Sequence, residues 1–121
     1  FIYSIYYNYC NIFEILLSRG VDINLPYNKL NKSTPLMVSI EQNNEYMIER
    51  LLSYENIDLF YVTQYKENIF FFMGIYMTNL TLFKRIVDMM IQKNKEKTLY
   101  FLRMQRYTSQ KKNIDTKTPV H

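Results

Sequence analysis

The feature that most constrains the fold of this chain is an internal repeat with a period of 35 residues. Repeats of roughly 20 to 50 residues indicate stacked arrays, in which each unit buries its apolar face against its neighbours. The first part of each unit has three apolar columns and one of small residues, which predict a short helix with close neighbours. The columns are Phe1/Leu36/Phe71, Ile2/Met37/Phe72, Ile5/Ile40/Ile75 and, for the small residues, Ser4/Ser39/Gly74.

The second part of each unit predicts a longer, amphipathic helix. Its apolar residues are spaced i, i+1, i+4 and i+5, which places them on one helical stripe. Glu14, Glu49 and Lys84 face away from that stripe, and Asn8, Asn43 or Thr78 supplies a polar turn between the two helices. The columns are Ile12/Met47/Leu82, Phe13/Ile48/Phe83, Leu16/Leu51/Ile86 and Leu17/Leu52/Val87.

The segments between these helix pairs, 20–33 and 55–68, interrupt the helical period and predict long loops. Gly20 follows the apolar stripe directly and suits the left-handed residue that ends a helix. Thr34 and Pro35 open the next unit as a capping residue and a first helical residue. The fold class predicted is all-α, with paired antiparallel helices joined by long, hairpin-like loops.

Several stretches resemble the ankyrin repeat family. Ser33–Met37 and Lys117–His121 are similar to its Thr-Pro-Leu-His signature. Ile12–Asn24 resembles its second helix followed by a Gly-x-Asp-x-Asn turn, which Asn56–Leu59 repeats more weakly. The resemblance implies an ankyrin-type solenoid and, because stacked units need neighbours, flanking repeats of the same chain in a longer array.

The resemblance divides the chain into three repeats over 1–92, an insertion and the start of a further repeat. The first repeat, 1–33, opens within its first helix and is followed by 34–68 and a divergent third repeat, 69–92. The third begins with Asn68–Phe72 instead of the signature, so its cap is expected to be missing. The basic insertion, 93–117, predicts a helix from Glu96 to Tyr107 and a loop from Thr108 to Thr116; a further repeat starts at 118–121. Neither Lys32 nor Glu67 is the glycine that the family places before its threonine.

The composition argues against several functional classes. With one cysteine, one histidine and two distant glycines, the sequence offers no zinc site, disulfide or phosphate-binding loop. Glu41, Glu45 and Glu49 are at helical spacing and fit a solvated face better than paired catalytic carboxylates. The longest uncharged stretch, 68–83, is shorter than the roughly 20 residues of a membrane span. We expect no enzyme activity, cofactor, metal or membrane span, and an intracellular, cytoplasmic setting.

Charge divides the chain into an acidic and a basic part. Up to Phe83 there are 5 basic and 8 acidic residues, and from Lys84 onward 10 basic and 3 acidic. The basic region 84–117 offers nucleic-acid contact as an alternative function. A solvated helix and loop is favoured there, because no nucleic-acid motif accompanies the charge.

The function predicted from the sequence is non-catalytic protein binding by an adaptor or scaffold. In the resembling family, partners contact the loop tips and the exposed side of the first helix, which together line a concave groove. An alternative is a structural repeat segment in a larger effector, such as a channel, kinase or ubiquitin-ligase subunit. The residues implied as contacts are Tyr6, Tyr7, Leu30, Asn31, Ser33, Glu41, Gln42, Tyr65, Lys66, Asn68, Tyr76 and Met77.

Overall fold

The computed structural model describes residues 1–27 and 32–117, with side chains as far as Gln105. Within these residues the regular structure is entirely helical, which confirms the all-α prediction. The last helix is interrupted at Asn94, whose φ of −164° and ψ of 95° are extended rather than helical. The helices are α1 (Ile2–Tyr6), α2 (Cys10–Ser18), α3 (Pro35–Glu41), α4 (Glu45–Leu52), α5 (Ile69–Tyr76) and α6 (Leu80–Lys117).

The helices form three consecutive pairs: α1 contacts α2, α3 contacts α4, and α5 contacts α6. Helix α3 also lies between α1 and α5 and contacts both, so the first helices of the pairs form a row. Asn8 lies in the turn between α1 and α2, and Asn43 in the turn between α3 and α4. Both have left-handed backbones, with φ of 58° and 50°, which confirms the predicted turns. In the third pair the turn begins at Met77, whose backbone is extended.

The helix ends follow from local chemistry. Thr34 Oγ1 accepts a hydrogen bond of 3.3 Å from the Met37 amide, with Pro35 at the first helical position. Gly20, after α2, has a φ of +78°, so both of these predictions are confirmed. The expectation that the third repeat has no cap is wrong: Asn68 Oδ1 accepts a hydrogen bond of 3.0 Å from the Phe70 amide. Asparagine is at least as good a capping residue as threonine.

The loops between the pairs turn without the glycine typical of the resembling family. Lys32 and Lys66 take left-handed conformations instead, with φ of 58° and 62°. Beside Lys32, the Tyr27 amide donates to the Ser33 carbonyl oxygen at 3.1 Å and closes the loop. Such a conformation costs a residue with a Cβ about 1 kcal/mol, which the loop contacts must offset.

The apolar columns of the second helices form the core, and Phe13, Met47 and Leu51 are completely buried. Ile12 departs from its column and is 51% exposed. The residues that share its column, Met47 and Leu82, lie in pairs that follow another pair in the row, whereas no described pair precedes α1 and α2.

One of the first-helix columns, Ile5/Ile40/Ile75, is not buried in the third pair. Ile75 was expected in the core and is 57% exposed. Thr34 and Asn68, the residues that cap α3 and α5, are 34 residues apart, one fewer than the repeat period. Aligned on their caps, the helices place Ile75 at the position of the exposed Glu41. Gly74 does not mark a close approach either, because a Cβ there would meet nothing within 4 Å.

Helix α6 turns back onto the third pair after Asn94, whose Oδ1 accepts from the Lys97 amide at 3.0 Å. Phe101 is buried, with its ring centroid 5.5 Å from that of Phe60. The predicted helix of the insertion is therefore present, but the predicted loop at 108–116 is wrong, because α6 continues to Lys117. No glycine or proline interrupts this stretch. The start of a further repeat, 118–121, lies outside the described residues.

Candidate protein-binding surface

A cluster of tyrosines covers the outside of α1 and the turn that follows it. We call Tyr3, Tyr6, Tyr7, Tyr9 and Tyr27 the tyrosine patch. The first four are between 41% and 55% exposed. Tyr27 reaches the patch from the first loop, and its hydroxyl lies 3.2 Å from that of Tyr3. The patch therefore joins the two parts of a unit that the sequence assigns to partner contact, the first helix and the loop.

Ring contacts hold the patch together. The ring of Tyr7 stacks on Tyr3 and on Tyr9, with centroid distances of 6.0 and 5.8 Å. Tyr6 meets Tyr7 edge to face at 5.0 Å, and Tyr27 meets Tyr3 in the same way at 5.2 Å. Aromatic pairs in these geometries stabilise each other by about 1 kcal/mol. These contacts restrict the rotamers that the five tyrosine side chains can adopt.

An open recess of about 500 Å³ lies beside the patch, between the turns of the first two pairs. Tyr6 lines one side, and Glu45 and Tyr46 of α4 line the other. The Tyr46 hydroxyl donates to Glu14 Oε2 at 2.6 Å, and Asn79 Nδ2 donates to Glu45 Oε1. Both side chains of α4 are therefore held in place by residues from the neighbouring pairs.

Polar contacts between the turns join successive pairs along this edge. Asn44 Nδ2 donates to Asn8 Oδ1 at 2.9 Å, and one pair further along Asn43 Nδ2 donates to Thr78 Oγ1 at 3.1 Å. These bonds fix the turns of the three pairs relative to one another. The sequence singled out Asn8, Asn43 and Thr78 as turn residues but gave no reason to expect hydrogen bonds from one turn to the next.

The row of first helices carries one carboxylate, Glu41, beside its aromatic rings. Glu41, at the end of α3, is exposed, and its carboxyl pKa is raised by partial burial and by the negative charge of Glu67. Helices α1, α3 and α5 and the three turns after them contain no lysine or arginine. The carboxylate of Glu41 is therefore the one charged side chain of these helices and turns.

Ten of the twelve predicted contact residues fall into three groups. Tyr6, Tyr7, Glu41, Gln42, Tyr65 and Lys66 are exposed, as expected for contacts. Tyr76 and Met77 are half-buried, and the Tyr76 ring stacks on Phe72 with a centroid distance of 6.5 Å. Leu30 and Asn31 lie outside the described residues.

Two of the predicted contacts, Ser33 and Asn68, are corrected by the structure because they are buried. Ser33 is 4% exposed, since its backbone is paired with Tyr27 across the loop. Asn68 is completely buried: besides capping α5, its amide Nδ2 donates to the Phe101 carbonyl oxygen at 2.8 Å. Its backbone amide donates to Gln105 Oε1 at 2.9 Å. The returning part of α6 therefore covers a position that the sequence assigned to an open loop tip.

Sequence reasoning missed Tyr3, Tyr9 and Tyr27 as members of the surface. The signal was present in the spacing of Tyr3 and Tyr7, since four residues correspond to about one helical turn and Tyr7 follows α1 directly. Tyr9 and Tyr27 join them through the tight turn and the folded loop, and neither of those contacts follows from helical spacing.

Three basic residues of the region 84–117 contact other parts of the chain. Lys93 Nζ donates to the Ile57 carbonyl oxygen at 2.9 Å, and Arg85 pairs with Glu49 at 2.6 Å. The Lys97 ammonium lies 5.3 Å from the centroid of the Phe60 ring. These three cations stabilise contacts between α6 and the preceding pair. Among residues 1–27 and 32–117 there is no helix long and apolar enough to cross a membrane.

Comparison of the chain with protein-family models, with curated proteins and with solved structures finds no match.

Proposed function

We propose that the chain is part of an ankyrin-type repeat array that binds another protein and does not catalyse a reaction. The observation that carries the proposal is the tyrosine patch, an ordered group of exposed aromatic rings on the first helix and loop. Tyrosine is enriched in protein interfaces because its ring offers a large contact area and its hydroxyl a hydrogen bond. An exposed aromatic cluster is otherwise unfavourable in water.

Contacts between the loops support the ankyrin-type arrangement. Asn24 Nδ2 donates to the Asn56 carbonyl oxygen at 2.8 Å, and the Asp58 amide donates to Asn24 Oδ1 at 2.9 Å. Within the loops, Asp22 and Asp58 each accept a hydrogen bond from the amide two residues further on. Equivalent residues thus repeat the same turn and join it to the next, which is the behaviour expected of stacked units.

In this proposal the rigid stack is the mechanism of binding. Ion pairs, hydrogen bonds between side-chain amides and a common core fix the helix pairs relative to one another. The exposed side chains of different units therefore keep their relative positions. A partner then meets a preformed surface made of the tyrosine patch, Glu41, Gln42 and the loop residues Tyr65 and Lys66. Few side chains need to be ordered on association, and a small number of aromatic anchors can supply the affinity.

The experiment immobilises the wild-type chain and three tyrosine variants. Quantitative mass spectrometry then identifies and compares the proteins that each one retains. Tyr7, Tyr65 and the control Tyr100 have nearly equal exposure, at 55%, 56% and 56%. We expect Tyr7→Ala and Tyr65→Ala to lose a defined set of proteins that wild type and Tyr100→Ala retain. Thermal unfolding of each variant verifies that the fold is intact.

A structural segment of a larger effector is the second candidate function. The observation that favours it is the extensive covering of the middle pair, in which Leu36 to Ile40 of α3 are all buried. Such a segment would serve as a spacer, and Tyr7→Ala and Tyr65→Ala would then retain the same proteins as wild type. The same comparison therefore separates the two functions.

A further inference from the structure

The distribution of charge indicates what kind of partner fits the row of first helices. The helices of this row and the turns after them lack lysine and arginine. By contrast, Arg50 lies on α4, and Lys84 and Arg85 lie on α6. Glu41 lies on the row, and Glu45 follows it at the start of α4. A surface with exposed carboxylates and aromatic rings but no cation of its own is complementary to a positively charged group.

The recess between the turns of the first two helix pairs brings a carboxylate and aromatic residues together. Two tyrosines, Tyr6 and Tyr46, line it together with Glu45. The hydrogen bond from Asn79 holds this carboxylate in position. Helix N-termini attract anions, but Glu45 already supplies a negative charge in the first turn of α4, and Asn44 caps the Met47 amide. The recess is therefore arranged to receive a cation rather than an anion.

The chain holds one of its own arginines in similar surroundings. Arg50 Nε and Nη2 both donate to the Glu14 carboxylate, each at 2.8 Å. Its guanidinium also lies 6.0 Å from the centroid of the Tyr54 ring. A carboxylate together with a tyrosine ring is a combination that suits the planar guanidinium better than the compact ammonium of lysine.

We propose that the recess binds an arginine side chain from an arginine-containing segment of the protein partner, paired with Glu45 and in contact with the rings of Tyr6 and Tyr46. This inference rests on the proposed protein-binding function and adds the chemistry of the partner to it.

The test uses short fluorescein-labelled peptides in a glycine–serine background that carry arginine, its neutral isostere citrulline, lysine or glutamate. Binding to the whole chain is followed by fluorescence anisotropy at low ionic strength. We expect the arginine peptide to bind about tenfold more tightly than the citrulline peptide, and more tightly than the lysine peptide. Equal binding of the arginine and citrulline peptides, or preferential binding of the glutamate peptide, would overturn the proposal.

Variants locate the binding within the chain. Glu45→Gln is expected to weaken arginine-peptide binding about fivefold, and Tyr6→Leu to a similar extent, whereas Tyr6→Phe keeps the ring and the affinity. Glu55→Gln, the same charge change on an exposed loop residue outside the recess, is expected to leave the affinity unchanged. An equal loss in Glu55→Gln and Glu45→Gln would show general charge attraction and contradict the site.

The outcomes for the site and for the proposed function can be told apart. If Tyr7→Ala and Tyr65→Ala lose captured proteins but the peptides do not distinguish arginine from citrulline, protein binding stands and the arginine site is wrong. If the peptides behave as expected but no captured protein depends on these tyrosines, the recess binds arginine and the proposed function is wrong.

Discussion

Glu14 of α2 and Arg50 of α4 form a two-point ion pair between the first two helix pairs, with both N–O distances at 2.8 Å. The pair recurs one unit further along, where Arg85 Nη2 lies 2.6 Å from Glu49 Oε1. Lys84 occupies the next position in the glutamate column. Each of these ion pairs links neighbouring units on the side away from the first helices.

The first prediction concerns the pH dependence of this contact. Arg50 is the main cause that lowers the pKa of Glu14, from 4.5 to about 2, and the Tyr46 hydroxyl adds to it. Because the folded pKa is depressed, the contribution to stability is present above about 4.5 and is lost as pH falls towards 2. We expect Glu14→Gln to cost about 1 kcal/mol at neutral pH, since the pair is partly exposed to solvent.

Urea unfolding at a series of acidic pH values measures this effect. The wild-type free energy of unfolding should fall more steeply with decreasing pH than that of Glu14→Gln, so the two curves converge in acid. Glu55→Gln is the control for removal of an exposed negative charge. Parallel curves for wild type and Glu14→Gln would mean that the ion pair does not stabilise the folded chain.

The second prediction concerns Asn24, which bonds to the following loop through both its amide nitrogen and its amide oxygen. We expect Asn24→Ala to lower the free energy of unfolding by about 2 kcal/mol, because two hydrogen bonds are lost. Asn24→Asp keeps the acceptor for Asp58 but loses the donor to Asn56. It also places a second carboxylate near Asp58, so a loss of comparable size is expected. Chemical denaturation measures both losses, and an unchanged Asn24→Ala would contradict the loop contact.

The third prediction compares two residues that the repeat pattern treats alike. Leu51 is completely buried and Ile75 is 57% exposed. Leu51→Asp places an unpaired carboxylate in the core and should cost more than about 4 kcal/mol, enough to unfold a chain of ordinary stability. Ile75→Asp should change stability by less than about 0.5 kcal/mol. Circular dichroism with thermal unfolding distinguishes them, and similar losses would place Ile75 in the core.

The fourth prediction concerns the left-handed Lys66 in the second loop. Lys66→Gly removes the steric cost of a φ of 62° and should stabilise the chain by about 0.5 kcal/mol after the greater unfolded-state entropy of glycine is included. Lys84→Gly, at an exposed position in the interior of α6, should be destabilising by about 1 kcal/mol. Thermal unfolding provides the comparison. Destabilisation by Lys66→Gly would mean that the lysine side chain contributes more than its backbone strain.

Much of the fold could be predicted because its determinants are local. Thr34 and Pro35 specify a helix start, Gly20 a helix end, and Asn8 and Asn43 tight turns, each through the conformational preference of that residue. The buried stripe of the second helices followed from helical periodicity alone. These features needed no knowledge of what lay beside them.

The features that were not predicted depend on contacts between residues that are far apart in the sequence. The burial of Asn68 requires Phe101 and Gln105, which α6 brings back only because it turns at Asn94. The ion pair of Glu14 and Arg50 was visible in the repeat columns, since Glu49 and Arg85 hold the same positions. Sequence reasoning placed these glutamates away from the core correctly but did not consider their contact with the next unit.

The most direct test of the account is site-specific photo-crosslinking in cells that express the chain. A benzophenone-bearing phenylalanine analogue replaces Tyr7, Tyr65 or Tyr100, which are equally accessible but lie on the first-helix turn, the second loop and the returning part of α6. The account predicts a discrete protein adduct from positions 7 and 65 and none from position 100. Adducts from position 100 alone, or none from positions 7 and 65, would contradict protein binding by this surface.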